Sequence, residues 1–492
     1  MLFSRAMKIY LSALGCKLNE SELEAWARRF ANDGCEIVND ARAADVIVLN
    51  TCTVTHVAAR KTRQLARQLA RANPHARLVL TGCFVTISPD EAKALPNVAL
   101  IVPNASKDQL VEQIAAQRGE GRIANSEWQE PSALRPTPYA ISQPWLDADV
   151  ETQVAGRQSP ISNLQSPLSN FQSSHLRTRA CVKIQDGCNL CCAYCIIPQA
   201  RGEERSRPRE EIIAEVNALV SAGYKEIVLT GVQISAYRSE GVGLVPALAL
   251  RDLVAAILVE TSVARLRLTS IAPWDVDESL LNLWRDARLC RHLHLSLQSG
   301  SDTVLRRMKR PYATAQFARA VEITRTRIPD VGITTDVIVG FPGESDVEFE
   351  QSLKFVEQIQ FSRVHVFSYS MRAGTIAAAL PLQISDVVKQ SRVKQMQAIA
   401  DASLRAFARR FVGRTLQVLW ETREDSRGAE KRGSRGEFSP LHLCTPAPQH
   451  QWSGYSDNYI RVVAASDADL YNQFTVARVT DVTDDGVMAD LR

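Results

Sequence analysis

The residues best suited to chemistry are the cysteines in the stretch Asp186-Gly187-Cys188-Asn189-Leu190-Cys191-Cys192-Ala193-Tyr194-Cys195. Three thiolates so closely spaced can each hold one iron of a cubic four-iron cluster. Such a cube normally takes four cysteines, so a trio leaves one iron open to a small molecule. Two registers satisfy the spacing, Cys188-x3-Cys192-x2-Cys195 and Cys188-x2-Cys191-x3-Cys195. A zinc knuckle is disfavoured, because zinc sites usually draw on two separated pairs or on a Cys/His mixture, and no histidine lies between Cys188 and His292.

A second trio is dispersed. Ile9-Tyr10-Leu11, Asp45 to Leu49 and Leu78-Val79-Leu80 are short β-rich apolar runs, followed respectively by Gly15-Cys16, Asn50-Thr51-Cys52 and Gly82-Cys83. Helical stretches at 20–32 and 58–72 separate the runs, which is the βαβ pattern of a parallel sheet. Loops at the carboxyl ends of parallel strands converge on one edge of an open sheet. Cys16, Cys52 and Cys83 therefore gather at one point as a second three-thiolate site. A single cysteine is ordinarily a small buried hydrophobe, and Cys35, Cys181, Cys290 and Cys444 receive that reading.

The elements that must position these residues fall into three groups. The chain has 492 residues, with 45% apolar and 23% charged residues, which suits a soluble protein of about three domains. The expected fold class is α/β. An open parallel sheet domain occupies 1–125 and a disordered, proline-broken linker 126–178. A partial (βα) barrel occupies 179–411, and a small β-barrel 412–492, with an insert around 422–450. The linker contains a near-duplication, Ser159 to Gln165 followed by Ser166 to Gln172, too short to be a folded repeat. In the central segment the cysteine-rich loop follows the first strand, at the carboxyl end where barrels of this kind carry their chemistry. Eleven cysteines cannot all pair within one chain. Their clustering indicates metal in a reducing cytoplasm, and no apolar run reaches the ~18 residues that span a bilayer.

On these residues the chain resembles the radical S-adenosylmethionine methylthiotransferases along nearly its whole length. Leu14 to Asn19, Asn50 to Thr55 and Thr81-Gly82-Cys83 match the family's auxiliary-cluster segments. Cys188 through Pro198 matches its radical motif, and the tail resembles a TRAM domain, a small RNA-binding barrel. The superfamily places an aromatic residue before the last cysteine. Tyr194 stands there, so the resemblance selects Cys188, Cys192 and Cys195 as ligands and leaves Cys191 aside. His56 to Lys61, Leu295 to Ser301 and Ser456 to Ile460 look most like the branch acting on N6-threonylcarbamoyladenosine beside the tRNA anticodon, with the branches acting on isopentenyladenosine in tRNA or on a ribosomal-protein aspartate as the alternatives.

The resemblance implies two 4Fe–4S clusters, S-adenosylmethionine, the tRNA anticodon stem-loop as partner, and a flavodoxin- or ferredoxin-like one-electron reductant. It implies that one S-adenosylmethionine methylates a sulfur of the auxiliary cluster and that another yields the radical that attacks carbon 2 of the adenine. That C–H bond is beyond any general base at neutral pH. Tyr194, Gly231, Ser296, Gln298, Ser299 and Gly340 are the expected cofactor contacts. Arg201, Arg205 and Arg207 are expected to face the cofactor carboxylate or RNA phosphates. Arg405, Arg409, Arg410 and Arg414, with Trp452, Tyr455 and Tyr459, form the expected RNA kit of cations and stacking faces.

Overall fold

The computed structural model describes residues 6–116, 178–239, 248–424 and 450–492. The expected linker and tail insert fall largely outside them.

In the N-terminal domain, β1 (Lys8–Ala13), β2 (Glu36–Ile37), β3 (Val46–Thr51), β4 (Arg77–Gly82) and β5 (Val98–Val102) form a parallel sheet of order β2-β1-β3-β4-β5. Its core is double-sided. Ile9, Leu11, Val46 and Val48 pack beneath α1 (Lys17–Asn32), and Tyr10, Ile47 and Leu49 pack beneath α2 (His56–Ala72). Near-continuous apolar strands are what a sheet covered on both faces requires. The chain reverses direction of winding between β1 and β3, and the crevice at such a switch point is where open sheets carry ligands.

The central domain is a curved wall of six parallel strands: β6 (Arg179–Lys183), β7 (Glu226–Thr230), β8 (Arg265–Leu268), β9 (His292–Leu295), β10 (Gly332–Val339) and β11 (Arg363–Ser368). They pair as β8-β7-β6 and β9-β10-β11; Ser270–Ile271, just past the end of β8, pairs in parallel with β9, and with the bridge from Leu266 to Leu289 this joins the two sheets. Residues alternate strictly. Ala180, Val182, Ile227, Leu229, Leu266, Leu293, Ile333, Val337 and Val364 pack outward against α3 (Arg209–Ser221), α4 (Leu250–Glu260), α5 (Thr314–Arg327), α6 (Asp346–Ile359) and α7 (Asp386–Arg409). The intervening positions line the concave side.

The barrel is open between β6 and β11, and the N-terminal domain fills that gap. α1 lies against β6. On the other side the loop after β3 meets the segment after β11, with the His56 amide donating to Ser370 at 3.1 Å and Arg372 donating to Thr53 at 2.6 Å.

The tail is a closed barrel of order β12-β13-β14-β16-β15, built from β12 (Thr415–Glu424), β13 (Gln451–Ser456), β14 (Arg461–Ala465), β15 (Phe474–Val482) and β16 (Val487–Leu491). It closes the lower mouth of the central barrel. Arg265 and Arg267, at the start of β8, donate to the carbonyls of Tyr455, Ser456 and Asp457, and Arg291 pairs with Asp457. A Cβ at Gly332 would sit 2.2 Å from the Asn458 carbonyl oxygen. Among the described residues no helix is long and apolar enough to cross a membrane.

Candidate active site

The structure brings Cys188, Cys192 and Cys195 together on the loop after β6. Burial first, and then the two neighbouring thiols, push the Cys195 thiol up to about 12, and burial likewise raises Cys188. Arg310 Nη1 lies 3.2 Å from Cys192 Sγ and over the rings of Trp274 and Tyr312. A cation there compensates the charge of a thiolate. Cys191 is exposed, and its Sγ contacts the Asn189 carbonyl oxygen at 4.0 Å.

Cys16, Cys52 and Cys83 also meet, at the carboxyl ends of β1, β3 and β4. Burial first, then the charges Cys83 and Cys16 would carry, push Cys52 up to about 11. Gly15 has φ +112°, and a Cβ there would stand 2.8 Å from Cys52 Sγ. Only glycine both turns the chain and leaves that sulfur its space. Asn19 Oδ1 lies 3.8 Å from Cys16 Sγ, and Asn104 Nδ2 lies 3.6 Å from Cys83 Sγ. Both trios fit a cluster on donor chemistry: soft sulfur ligands with amide or guanidinium groups beside them, Cys52 and Cys83 buried, Cys188, Cys192 and Cys195 half-buried and Cys16 at the exposed edge. Thiols whose ionisation is suppressed by burial become ligands only when metal displaces their protons.

A buried ionic network ties the two trios together. Arg201 donates to Glu22 at 3.1 Å, to Asp186 at 2.9 Å and to Asn19 at 2.7 Å. Lys107 pairs with Glu22 at 2.5 Å and Asp186 at 2.8 Å, and Lys183 reaches both carboxylates. Asp186 Oδ1 also accepts from the Gly187 amide, next to Cys188. Arg201, Lys107 and Lys183 face Glu22 and Asp186, which leaves one positive charge in surplus, suited to neighbouring thiolates. Burial would raise the Glu22 carboxyl, but Lys107, Arg201 and Lys183 outweigh it and hold the group at about 2.

This corrects the expectation for Arg201. Its side chain is 1% exposed and bonded to protein, so it faces neither the solvent nor an RNA backbone. Arg207 is bound to the Lys183 carbonyl and Glu215, and of the three only Arg205 keeps a half-exposed side chain. The RNA kit is corrected too. Trp452 is buried in the tail barrel. Tyr455 and Tyr459 stack on each other at 5.0 Å, and Tyr459 stacks on His292 at 4.5 Å, so they seal the joint between barrels. Arg414 and Arg410 both pair with Asp330, while Arg409 remains on the surface.

The remaining expected contacts divide. Tyr194 is packed beside Arg310, with burial the main cause of its raised pKa. Ser296 is half-buried, and its carbonyl accepts from Tyr312 at 2.8 Å. Gln298 has φ +68°, and its amide donates to the Asp336 carbonyl. Ser299 turns away and bonds Ser352 at 3.0 Å. A Cβ at Gly231 would lie 2.9 Å from the Gln185 carbonyl oxygen, and one at Gly340 would meet Lys389 at 2.5 Å, so both glycines answer to protein packing.

Residues 182–356 match the Radical SAM superfamily, and residues 8–103 match an uncharacterised protein family, UPF0004. The threonylcarbamoyladenosine tRNA methylthiotransferase MtaB of Bacillus subtilis is 34% identical over 95% of this chain and 92% of its own length. The protein of the same name from Thermotoga maritima is 36% identical over 84% of this chain and 86% of its own. The chain belongs to the radical SAM methylthiotransferase family. Its cofactors are accordingly S-adenosylmethionine and 4Fe–4S iron–sulfur chemistry. The fold is also that of the radical S-adenosylmethionine methyltransferase TsrM of Kitasatospora setae, with a TM-score of 0.52 at 16% identity over 74% of this chain and 72% of the other. A relative from Clostridium novyi, 31% identical over 84% of this chain and 85% of its own, is named tRNA-2-methylthio-N(6)-dimethylallyladenosine synthase.

Proposed function

We propose that this enzyme methylthiolates carbon 2 of N6-threonylcarbamoyladenosine beside the tRNA anticodon, with Cys188, Cys192 and Cys195 holding one 4Fe–4S cluster and Cys16, Cys52 and Cys83 holding a second. The observation that carries this reading is the gathering of two separate cysteine trios, one on the barrel loop after β6 and one at the edge of the N-terminal sheet, joined by the buried Arg201 network. Bound there, the two clusters and S-adenosylmethionine supply a carbon-centred radical and a methylated sulfur. The chain's own residues hold and shield them. Arg310 and the surplus cation of the Arg201 network offset thiolate charge, and Gln298 and Ser296 present polar groups at the strand ends. The N-terminal domain, wedged into the open side of the barrel, excludes water from a radical that water-borne side reactions would quench. The agreement with relatives named for threonylcarbamoyladenosine over nearly the whole chain supports the choice of base. A cytoplasmic setting and a flavodoxin- or ferredoxin-like donor follow from a substrate and a chemistry of this kind.

The test is the nucleoside composition of tRNA from a strain lacking the gene, read by mass spectrometry. The expected result is loss of the methylthio group from threonylcarbamoyladenosine and its return on complementation. Loss from isopentenyladenosine instead would transfer the enzyme to the dimethylallyl branch, and unchanged tRNA would point to a protein substrate.

A further inference from the structure

Below the two cysteine sites the concave wall is polar. His292 Nε2 and His294 Nδ1 both lie 3.0 Å from Thr334 Oγ1, and His294 Nε2 lies 3.2 Å from Asp336 Oδ2. The proton positions follow from donor counting. An ionised Asp336 only accepts, so His294 Nε2 carries a proton. With His294 neutral, its Nδ1 accepts from the Thr334 hydroxyl, whose single proton is thereby used, and His292 Nε2 donates to Thr334; with His294 protonated, Nδ1 donates to Thr334 instead. The chain of bonds ends on Asp336, which is held in place with acceptor capacity to spare.

Beside it, His365 stands opposite Asp336 in register on the edge strand β11. Ligand atoms of His294, Asp336 and His365 lie within 4.8 Å of one another, yet His365 is exposed and its ring, 6.1 Å from that of His294, makes no hydrogen bond to the described residues. Two cations bear on it, Lys17 and Arg363. Neither is in an ion pair with a described residue. Lys17 lies over the Tyr459 ring at 5.6 Å, and Arg363 only touches the Asp485 carbonyl at 3.4 Å. Counting Asp336, the group carries one net positive charge. Two residues further up β11, about 7 Å nearer the cysteine rim, Phe367 offers a 48% exposed ring on the same concave face. A cleft of about 400 Å³ opens along the free edge of this strand, between it, α7 and the tail barrel; besides Arg363, His365 and Phe367 it is lined by the outward-facing Val364 and Val366 and by the carboxylates Asp401, Asp484 and Asp485, so it reaches His365 from the helix side and its far wall is acidic.

We propose that His365, Lys17, Arg363 and the His294–Asp336 pair form a subsite for the N6 substituent of the target adenosine, one that takes a hydroxylated, anionic acyl group. The assignment rests on the reading of the substrate as N6-threonylcarbamoyladenosine. The adenine ring stacks on Phe367, as unpaired bases do on exposed aromatics. The separation of about 7 Å then places the end of a threonylcarbamoyl chain at His365. Its carboxylate meets Lys17, Arg363 and the free imidazole, and its hydroxyl donates to Asp336. An isoprenoid tail has no polar atom to offer, and burying this wall against it would leave the cations and Asp336 without partners.

The test uses reconstituted holoenzyme and synthetic anticodon stem-loops carrying threonylcarbamoyladenosine, isopentenyladenosine or plain adenosine. Affinity is read by fluorescence anisotropy, product by nucleoside mass spectrometry, and 5′-deoxyadenosine release without RNA. The expected result for His365→Phe is at least a tenfold loss of affinity for the threonylcarbamoyl loop, about 1.4 kcal/mol. Affinity for the plain loop and RNA-free 5′-deoxyadenosine release should stay within about twofold. Asp336→Asn, which keeps the shape, should give a smaller loss of the same kind. If both variants keep the wild-type preference, the subsite assignment is overturned while the substrate reading stands, since the wild type still modifies that loop. If the wild type turns over the isopentenyl loop alone, the substrate reading falls and takes the subsite with it. If chelation abolishes the preference without loss of cluster iron and Zn²⁺ restores it, the three residues hold a cation, and the proposal fails.

Discussion

The two cysteine trios, proposed above as cluster sites, gather three thiols by opposite means. Cys188, Cys192 and Cys195 come from one loop, and their spacing is set by a few backbone torsions and by the Cys195 amide bonding to the Cys192 carbonyl at 3.0 Å. Cys16, Cys52 and Cys83 come from three strand ends and exist as a site only when the β1-β3-β4 register has formed. A local site tolerates a loosened domain, whereas a dispersed site reports on it. The Arg201 network sits where the two regimes meet and makes the barrel loop and the sheet edge one rigid body.

The largest effects should separate the trios outright. Cys188→Ala should abolish 5′-deoxyadenosine formation. Cys52→Ala should preserve it and abolish methylthio transfer. Each should lower iron from about eight to about four atoms per chain. Identical phenotypes for the two variants would merge the sites and remove the comparison.

Next comes the link between them. Arg201→Met leaves Glu22 and Asp186 short of a buried partner, and stranded charges of this kind cost about 3–5 kcal/mol. The expected readout in chemical denaturation is a fall of that size for the N-terminal domain, with loss of auxiliary iron before radical-cluster iron. Acid should act in the same direction. Glu22 is held at about 2, below its unfolded value near 4.5. A depressed carboxylate contributes stability that is full above the unfolded pKa and is lost as pH falls through the folded one. Protection of α1 amides from hydrogen exchange should therefore weaken between about pH 4.5 and 2. In Glu22→Gln that part of the acid dependence should disappear.

A smaller and more local effect is expected at Gly15. A methyl group there lies 2.8 Å from Cys52 Sγ and demands a left-handed alanine, a strain of about 1–2 kcal/mol. Gly15→Ala should lower auxiliary iron while leaving 5′-deoxyadenosine release near wild type. Equal loss of both clusters would show that the dispersed site is no more sensitive than the local one.

Legibility in the sequence follows the same division. The βαβ alternation of the N-terminal segment stands in the structure as the pattern indicates, because apolar strands covered on both faces leave a continuous local trace. The start of α1 does not. The pattern points to Glu20, but the helix begins at Lys17, and its capping residue Cys16 makes no side-chain capping bond, so no capping signal is written there. The onset of α2 is also earlier than the pattern places it: the pattern starts at Ala58, whereas Thr55 caps the helix by accepting from the Ala58 amide and the helix begins at His56. The ionic network was out of reach because Glu22 and Arg201 are 179 positions apart. Buried charges look like surface charges in a sequence. Tyr455 and Tyr459 failed for the complementary reason. An aromatic beside basic residues suits an RNA face or a domain joint equally, and only the docking of the tail barrel onto β8 and β9 decides between them. Ser299 misled because neighbours at a strand end point opposite ways.

The smallest expected effect tests the local trio's register. Cys191 and Cys192 are adjacent, and spacing alone permits either. In the structure Cys192 raises the pKa of both Cys188 and Cys195 and is touched by Arg310, whereas Cys191 is exposed and contacts only a backbone carbonyl. Cys191→Ala should therefore leave 5′-deoxyadenosine release within about twofold of wild type, the range of an exposed surface change. Cys192→Ala should eliminate it. The cluster's electron paramagnetic resonance signal should follow the same split. The reversed outcome would mean that the loop rearranges around iron to bring Cys191 inward. In that case the local trio, like the dispersed one, would take its final shape only in the presence of its metal, and the contrast between the two sites would vanish.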